Sequence, residues 1–365
     1  MDEAKGIAKL VLPFTAGVFL ISCISLGTNH TYTVSAVSLM LLTGLILLTL
    51  YRWNIGKASH IWEIAAIGLI AGIFIKTNSS LVSYTHSGIS WINEFTTNIC
   101  QRLQLLIDNI PFRSEETNAM IKALLTGNRK DIPRETIEAF RSSGASHILA
   151  LSGLHLGIIY LIISKIASIL GGSTKARIAR SSICIIVCTI YSLATGAGAS
   201  IIRALIFIII RELGKILHRK TDLKHTLLSC LLIHLTLNPS DISSVGFQLS
   251  YAAIAGIAWI HPWLCGLWPE DDDGRTIMKR IWEAASVSIS CQLTTGPLAW
   301  FYFGTFPQYF LLTNLISLPL TALIIPFALL TTMLSAVGIC PGLLIQATEL
   351  LVNALSSSLT IIAGL

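Results

Sequence analysis

The sequence predicts an all-α protein, a polytopic bundle of about ten or eleven transmembrane helices. Of its 365 residues, 53% are hydrophobic and only 12% are charged, whereas a soluble domain carries about 25% charged residues. Apolar runs of about 20 residues, the length that a helix needs to cross a bilayer, recur from one end of the chain to the other. The first run is too long for a signal-peptide core and lacks a convincing cleavage site, which predicts a retained helix.

The predicted spans are these apolar runs, each taken as one membrane crossing. They cover residues 8–27, 33–50, 62–75, 147–170, 181–195, 200–213, 225–237, 245–263, 281–303, 309–337 and 342–365. Gln292 and Pro297 interrupt the ninth run. The tenth run is long for one crossing and contains Pro319 and Pro326, so we expect a kinked or broken helix there, which is tolerated at membrane depth where it lines a cavity.

The net charge of +6 reflects topology, because cytoplasmic loops collect Lys and Arg. Lys5 and Lys9 place the N-terminus in the cytoplasm, and loops that contain Lys or Arg alternate with loops that contain neither. Lys and Arg are absent from the alternate loops, which are residues 28–32, 196–199, 238–244 and 304–308. This alternation supports both the spans and a cytoplasmic N-terminus.

Three segments are predicted. Residues 1–78 are N-terminal transmembrane helices, residues 79–145 are an extracytoplasmic amphipathic segment, and residues 146–365 are a transmembrane core. Within the middle segment, residues 89–110 and 115–125 have helical apolar spacing with mixed polar faces, which is typical of interfacial helices.

The middle segment is also rich in Lys and Arg. A helix start is predicted near its end, with Asp131 as a cap and Pro133 in the first turn. Two interpretations of the charge stay open: a solvated basic face, or a basic collar above the membrane that gathers a polyanion.

Motifs for metal, cofactor or nucleophilic chemistry are missing from the sequence. The eight cysteines show neither metal-ligand spacing nor a disulfide framework, so we expect no metal and no cofactor. Ser152 and His155 are three residues apart and are expected to meet on one helix face. A serine–histidine dyad and polar packing between helices both remain open for this pair.

Several polar residues in the spans share one depth in the predicted topology. The outer half of the membrane holds His147, Ser152, Arg203, Gln248 and Asn314. Polar groups in hydrocarbon usually face a bundle interior or a wet cavity, so this shared depth predicts a funnel that opens outward. For Arg203, two alternatives stay open: snorkelling to headgroups, or a fixed guanidinium that binds phosphate.

Short motifs that contain these residues resemble those of the ComEC-type competence proteins and follow the order seen in that family. They are ALLTGNR at 123–129, HILALSGLH at 147–155, SIIRA at 200–204, NP at 238–239, VGFQLSYA at 245–252, FGTFP at 303–307 and NLISLP at 314–319. The resemblance runs from about residue 118 to the C-terminus.

The resemblance implies a multi-pass channel in the bacterial inner membrane that passes single-stranded DNA into the cytoplasm during natural transformation, and not an enzyme. It implies membrane lipid, a surface DNA receptor and a cytoplasmic helicase-like motor as partners. The DNA path carried onto this chain consists of His147, Ser152, His155, Arg203, Gly246, Phe247, Gln248 and Asn314. Phe247 is expected either to stack on bases or to pack against neighbouring helices or lipid.

The sequence departs from the family pattern in two ways. Residues 76–118 are too short for the external oligonucleotide-fold domain, and no metal cluster marks the metallo-β-lactamase-like domain. We therefore expect a short member or a fragment, without nuclease activity. The alternatives are a secondary transporter of a small anionic solute built around Arg203, an intramembrane hydrolase that uses Ser152 and His155, and an inactive member that binds a partner.

Overall fold

The computed structural model describes residues 2–24, 28–54, 61–82, 90–196, 198–219, 222–268, 277–304, 306, 308–339 and 341–364. Within these residues the secondary structure is helical, with no strand. The α-helices are α1 (Asp2–Ser22), α2 (Thr28–Asn54), α3 (Ile61–Val82), α4 (Ser90–Asp108), α5 (Glu115–Thr126), α6 (Arg134–Ser142), α7 (Ser146–Leu149), α8 (Gly153–Ala167), α9 (Thr174–Ala194), α10 (Ala199–Ile216), α11 (Leu223–Leu237), α12 (Val245–Cys265), α13 (Ile277–Phe303), α14 (Phe310–Ala336) and α15 (Gly342–Ala363). The all-α prediction is confirmed.

Four helical stretches in the described part of the chain are long and apolar enough to cross a membrane: Gly153–Leu170, Thr174–Ala194, Phe310–Ala336 and Gly342–Ala363. Shorter apolar helices occupy Gly6–Ser22, Thr33–Ile46 and Leu223–Leu237. Each predicted span overlaps at least one helix. The protein is therefore a helical membrane protein, and the number of its crossings stays a prediction.

The chain forms two compact units. The first unit comprises residues 1–89 and 219–255, and the second comprises residues 90–218 and 256–365. In the first unit, α1 and α3 pack so closely that a methyl group at Gly17, Gly68 or Gly72 would overlap the backbone of the facing helix. Small residues of this kind let helices approach without a hydrophobic driving force, as membrane helices require.

The second unit has a continuous apolar core. Its fully buried members come from α4 to α10, α14 and α15, and include Ile107, Leu124, Leu156, Ile201, Ile324 and Leu355. This core joins the amphipathic helices of the predicted middle segment to the apolar helices that follow them. The division of the chain at residues 78 and 145 stays a prediction.

Helix α5 shows how closely local sequence signals set an element. Ser114 caps it by accepting a hydrogen bond from the Thr117 amide, and Glu115 begins its first turn. Gly127 ends it in the left-handed conformation with φ of 77°, where a residue without Cβ is favoured. The observed helix matches the predicted residues 115–125 to within one residue at its end.

One local prediction is wrong, and the expectations for two proline-containing runs hold at most in part. Asp131 does not cap α6, because that helix begins after Pro133 without a side-chain cap, and the Asp131 carboxylate bonds Lys122 instead. Helix α13 continues through Gln292 and Pro297, and α14 continues through both of its prolines, so α14 is not broken, while a kink in it stays a prediction. A proline removes one backbone hydrogen bond, and a helix packed among others tolerates that loss.

Candidate functional site

The helix is interrupted where one continuous span was predicted over residues 147–170. Helix α7 ends at Leu149, Ala150 is extended with φ of −78° and ψ of 125°, and α8 begins at Gly153. The interruption therefore lies within the HILALSGLH motif rather than at the prolines of α14. His147 and His155 consequently lie on two different helices.

Ser152 and His155 form the cap of α8. The Ser152 side chain accepts a hydrogen bond from the Leu154 amide at 3.3 Å, and the Ser152 amide donates to His155 Nδ1 at 3.3 Å. The Ser152 hydroxyl also lies 3.1 Å from the same nitrogen. The predicted contact is real, and it is a capping box that satisfies two backbone donors.

This cap fixes the tautomer of His155. Because Nδ1 accepts the Ser152 amide hydrogen, the neutral ring carries its own hydrogen on Nε2. The side chain is 0% exposed, and Nε2 has no hydrogen-bond partner among the described residues. His155 thus holds a buried donor that its neighbours in this part of the chain do not use.

The first turn of α8 packs against α10 beside Arg203. A Cβ at Gly153 would lie 3.3 Å from the Cβ of Ala204, so the two backbones are close there. Arg203 is only 6% exposed. Of the two alternatives for this residue, burial within the second unit favours a fixed guanidinium over one that snorkels to headgroups.

The N-terminal end of α14 is tied to the chain just before α7. The Thr313 hydroxyl donates to the Ser143 carbonyl at 2.7 Å, and both groups are buried. Asn314 follows directly and is half-buried. His147, by contrast, is exposed, with its Nδ1 3.2 Å from the Gly144 carbonyl.

Four buried polar atoms without a hydrogen-bond partner lie on three helices of the second unit, one of which contacts the other two. Helix α14 packs against both α5 and α8. In the described part of the chain, the unpartnered atoms on these helices are Thr117 Oγ1, His155 Nε2, Asn314 Oδ1 and Ser317 Oγ. We call these four residues the polar seam. A buried polar atom left unsatisfied costs about 1–3 kcal/mol, so each one calls for water or a polar ligand.

The remaining predicted path residues, Gly246, Phe247 and Gln248, belong to the first unit. Phe247 is 4% exposed, and its ring centroid lies 5.1 Å from that of His234 and 4.4 Å from that of Tyr251. Gln248 Nε2 donates to the Ile242 carbonyl at 2.9 Å. Of the two alternatives for Phe247, this geometry corresponds to packing. The funnel that would unite these residues with those of the second unit stays a prediction.

Two buried polar clusters escaped the sequence reasoning. In the first unit, His234 Nε2 lies 2.8 Å from Asp241 Oδ2, and Nδ1 lies 3.3 Å from the Tyr251 hydroxyl. The cluster joins α11 to α12 through the 3₁₀ turn between them. Asp241 lies in the predicted loop 238–244, and a single sequence does not show which side chain it meets.

The second cluster surrounds Glu212, which is 2% exposed on α10. It accepts hydrogen bonds from the Tyr160 hydroxyl at 2.5 Å, the Ser181 hydroxyl at 2.7 Å and Lys215 Nζ at 2.6 Å. These donors link α8, α9 and α10. The sequence signal was a carboxyl and an ammonium group three positions apart on an apolar helix, since such groups need partners in lipid.

Two clefts of opposite character lie in the segment around α4 and α5. The acidic cleft, of about 600 Å³, is lined by Asp108, Glu115, Asp131 and Lys122 among others. Lys122 Nζ is 2.5 Å from Asp108 and 3.1 Å from Asp131. Burial alone would lower the pKa of the Lys122 ammonium, but hydrogen bonds and charge from the two carboxylates outweigh it and hold that pKa above its usual value.

The basic cleft, of about 700 Å³, lies between α4 and the loop that follows α5. Its lining includes Gln101, Gln104, Asn128, Arg129 and Lys130. Arg129 Nε also donates to the carbonyl of Leu149, the last residue of α7, at 2.9 Å. The ALLTGNR motif therefore both lines a cleft and holds the helix that precedes the break.

Metal ligands do not cluster in the part of the chain that the structure describes: no group of three or more His, Cys, Asp or Glu side chains there is placed to hold an ion.

Comparison with known proteins connects these features to one family. The family described as Competence protein matches residues 124–365. ComE operon protein 3 of Bacillus subtilis (strain 168) is 24% identical over 212 residues, which cover 58% of this chain and 25% of that protein. Uncharacterized protein YcaI of Escherichia coli (strain K12) is 24% identical over 212 residues, which cover 57% of this chain and 28% of that protein.

The chain thus spans about a quarter of the length of these curated relatives. No solved structure matches it. The family match covers the helix break, the start of α10 and the whole of α14, together with most of the described core. The chain belongs to the Competence protein family.

Proposed function

We propose that this protein takes part in DNA uptake as an inner-membrane channel that passes single-stranded DNA into the cytoplasm during natural transformation. The observation that carries the proposal is the polar seam, whose buried donors and acceptors lie on α5, α8 and α14 without partners in the described chain. Helices α8 and α14 both belong to stretches apolar enough to cross a membrane.

The seam suits a hydrated path. Each of its atoms loses free energy in a dry interior and regains it when water or a polar ligand supplies a hydrogen bond. His155 offers a donor at Nε2, and Asn314 and Ser317 lie on one face of α14 three residues apart. A strand of nucleic acid carries its own acceptors and its own water, so it can satisfy these groups as it passes.

Arg203 supplies the charge that a polyanion requires. Its helix lies against the first turn of α8, the helix that carries His155. A guanidinium presents several donors in a fixed fork that matches phosphate. In this account Arg203 binds phosphate groups in turn, while His147, Ser152 and His155 shape the path, and Gly246, Phe247 and Gln248 shape it within the first unit.

The setting of this activity is likewise proposed. The N-terminus lies in the cytoplasm, residues 79–145 lie outside the bilayer, and residues 146–365 form the channel core. A surface DNA receptor delivers the strand, and a cytoplasmic helicase-like motor draws it in. The match to the Competence protein family supports this setting.

A second candidate function is secondary transport of a small anionic solute. Burial of Arg203 favours it as well, because a fixed guanidinium in an apolar bundle binds a carboxylate or phosphate of any size. The two functions differ in the size of the anion that crosses the membrane: a long strand in one case and a small solute in the other.

The test is strand uptake by reconstituted vesicles. An inside-positive potential drives an anionic strand inward without any motor, since each charge gains about 2.3 kcal/mol per 100 mV. The readout is fluorescent single-stranded DNA protected from external nuclease. We expect uptake by the wild type, at least a tenfold loss in Arg203→Gln, and no change in Arg211→Gln, which removes an exposed arginine from the same helix.

Equal uptake by both variants would remove Arg203 from the path. Flux of a small organic phosphate without uptake of any strand would favour the transporter. If the folded wild type passes neither substrate, the channel proposal fails and a partner-binding role takes its place.

A further inference from the structure

The basic cleft is built on a fixed loop. Gly127 ends α5 in the left-handed conformation, and the Asn128 side chain accepts a hydrogen bond from the Lys130 amide at 3.2 Å. Asn128 Nδ2 also lies 3.5 Å from Gln104 Oε1, which ties the loop to α4. The backbone that carries the two cations of this loop is therefore held in place before any ligand arrives.

The charge of this cleft is not neutralised from within. None of the residues that line it is acidic, and among the described ion pairs neither Arg129 nor Lys130 has a carboxylate partner. In the acidic cleft, by contrast, Lys122 is held by two carboxylates. Arg102 adds a further exposed cation on α4, one position after Gln101.

The lining also limits what the cleft recognises. It offers ammonium, guanidinium, amide and hydroxyl groups from Lys130, Arg129, Gln101 and Thr126, but its described lining contains no aromatic ring. Proteins that read single strands through their bases stack them on aromatic side chains, whereas cationic grooves track the phosphate backbone. The chemistry here is that of phosphate binding alone.

We propose that the basic cleft binds the phosphate backbone of a single nucleic-acid strand without reading its bases. This inference rests on the proposed function, and it adds a binding site outside the polar seam. Arg129 also bonds the end of α7, so its loss would disturb the helix break. Lys130 is exposed and makes no such contact, so Lys130 is the residue to change.

The test measures equilibrium binding of labelled oligodeoxythymidylate and oligodeoxyadenylate to the full chain in nanodiscs of zwitterionic lipid, over a series of salt concentrations. Each phosphate contact on a single strand makes the slope of log K against log salt more negative by about 0.7. We expect Lys130→Gln to make that slope less negative by about 0.7, and by the same amount for both oligonucleotides. Arg134→Gln, which removes an exposed cation four residues away and outside the cleft, should leave the slope unchanged.

Three results would overturn the proposal. Equal losses in Lys130→Gln and Arg134→Gln would mean that only net charge matters, and an unchanged slope in both would mean that the strand binds elsewhere. A loss of binding to anionic phospholipid vesicles in Lys130→Gln, with the DNA slope unchanged, would assign the cleft to lipid headgroups. Vesicle uptake by the wild type decides the channel separately, because a strand can cross whether or not the cleft binds it.

Discussion

In the first unit the buried His234 uses both ring nitrogens, one toward Asp241 and the other toward Tyr251. In the second unit the buried His155 uses only Nδ1, within the cap of α8, and Nε2 has no described partner. The two side chains are almost equally buried. A buried group whose partners are all protein groups serves packing, whereas one left without them depends on solvent or a ligand.

The same difference separates the other polar groups of the two units. Gln248, in the first unit, donates to a backbone carbonyl, and Phe247 packs on the His234 ring. Asn314 and Ser317, in the second unit, each keep a buried oxygen without a described partner. The comparison therefore separates buried polar groups whose partners belong to the protein from buried polar groups that need water or a ligand.

The largest effect is expected at His234. In His234→Ala, Asp241 loses a 2.8 Å partner and Phe247 loses its ring contact, so the free energy of unfolding should fall by about 3 kcal/mol. Denaturant unfolding in detergent measures this. The matched change His147→Ala removes an exposed histidine and should cost less than about 0.5 kcal/mol. Equal effects would break the distinction between structural and exposed histidines.

The next largest effect is expected at Glu212. It tests whether the second unit also contains a polar cluster with a structural role. Glu212→Gln leaves Lys215 without a charged partner and turns an amide group toward hydroxyl donors, so we expect a loss of about 2 kcal/mol. Glu138→Gln, on the exposed face of α6, is the control and should be neutral. Unchanged stability in Glu212→Gln would show that the cluster contributes nothing.

Substitutions in the polar seam should change the free energy of unfolding in the opposite direction. Ser317→Ala removes an unsatisfied oxygen, so the free energy of unfolding should stay the same or rise by about 1 kcal/mol, while strand uptake falls. Ser290→Ala removes a hydroxyl that already bonds the Ser286 carbonyl at 2.6 Å. It should cost about 1 kcal/mol and leave uptake unchanged. The same pattern in both variants would contradict the comparison.

The smallest effect concerns pH and Lys122. Because its pKa is raised in the folded protein, its pairs with Asp108 and Asp131 add stability at pH values below the unfolded pKa. That contribution is lost as pH rises through the raised value, above about pH 10.4. The carboxylates are partly exposed, so the effect should stay below about 1 kcal/mol. Thermal unfolding measured between about pH 9 and about pH 11.5 should show a steeper fall in Tm with pH for the wild type than for Lys122→Gln.

The helices were predictable because apolar runs long enough to cross a bilayer have few alternative structures. Helix α5 was predicted to within one residue from its helical apolar spacing, and in the structure Ser114 and Gly127 mark its ends. The prolines of α14 do not break the helix, because proline frees only one backbone carbonyl and packing against neighbouring helices compensates for that loss.

The break within the HILALSGLH motif was missed for a different reason. The spacing of Ser152 and His155 is the spacing of a capping box, but histidine stands where glutamate or glutamine is usual, and the pair was interpreted as two positions on one helix. The partners of His234 and Glu212 depend on tertiary contacts between helices, and the sequence of any one helix does not specify them.

The central claim, that the polar seam is a wet path for a strand, is tested most directly by thiol accessibility. In a cysteine-free background, Ser317→Cys is treated with a water-soluble, membrane-impermeant thiol reagent, with Ser290→Cys as the buried, hydrogen-bonded control. We predict rapid labelling of Ser317→Cys that added single-stranded DNA slows, and no labelling of the control. Labelling of neither cysteine, or labelling of Ser317→Cys that DNA leaves unchanged, would contradict the account.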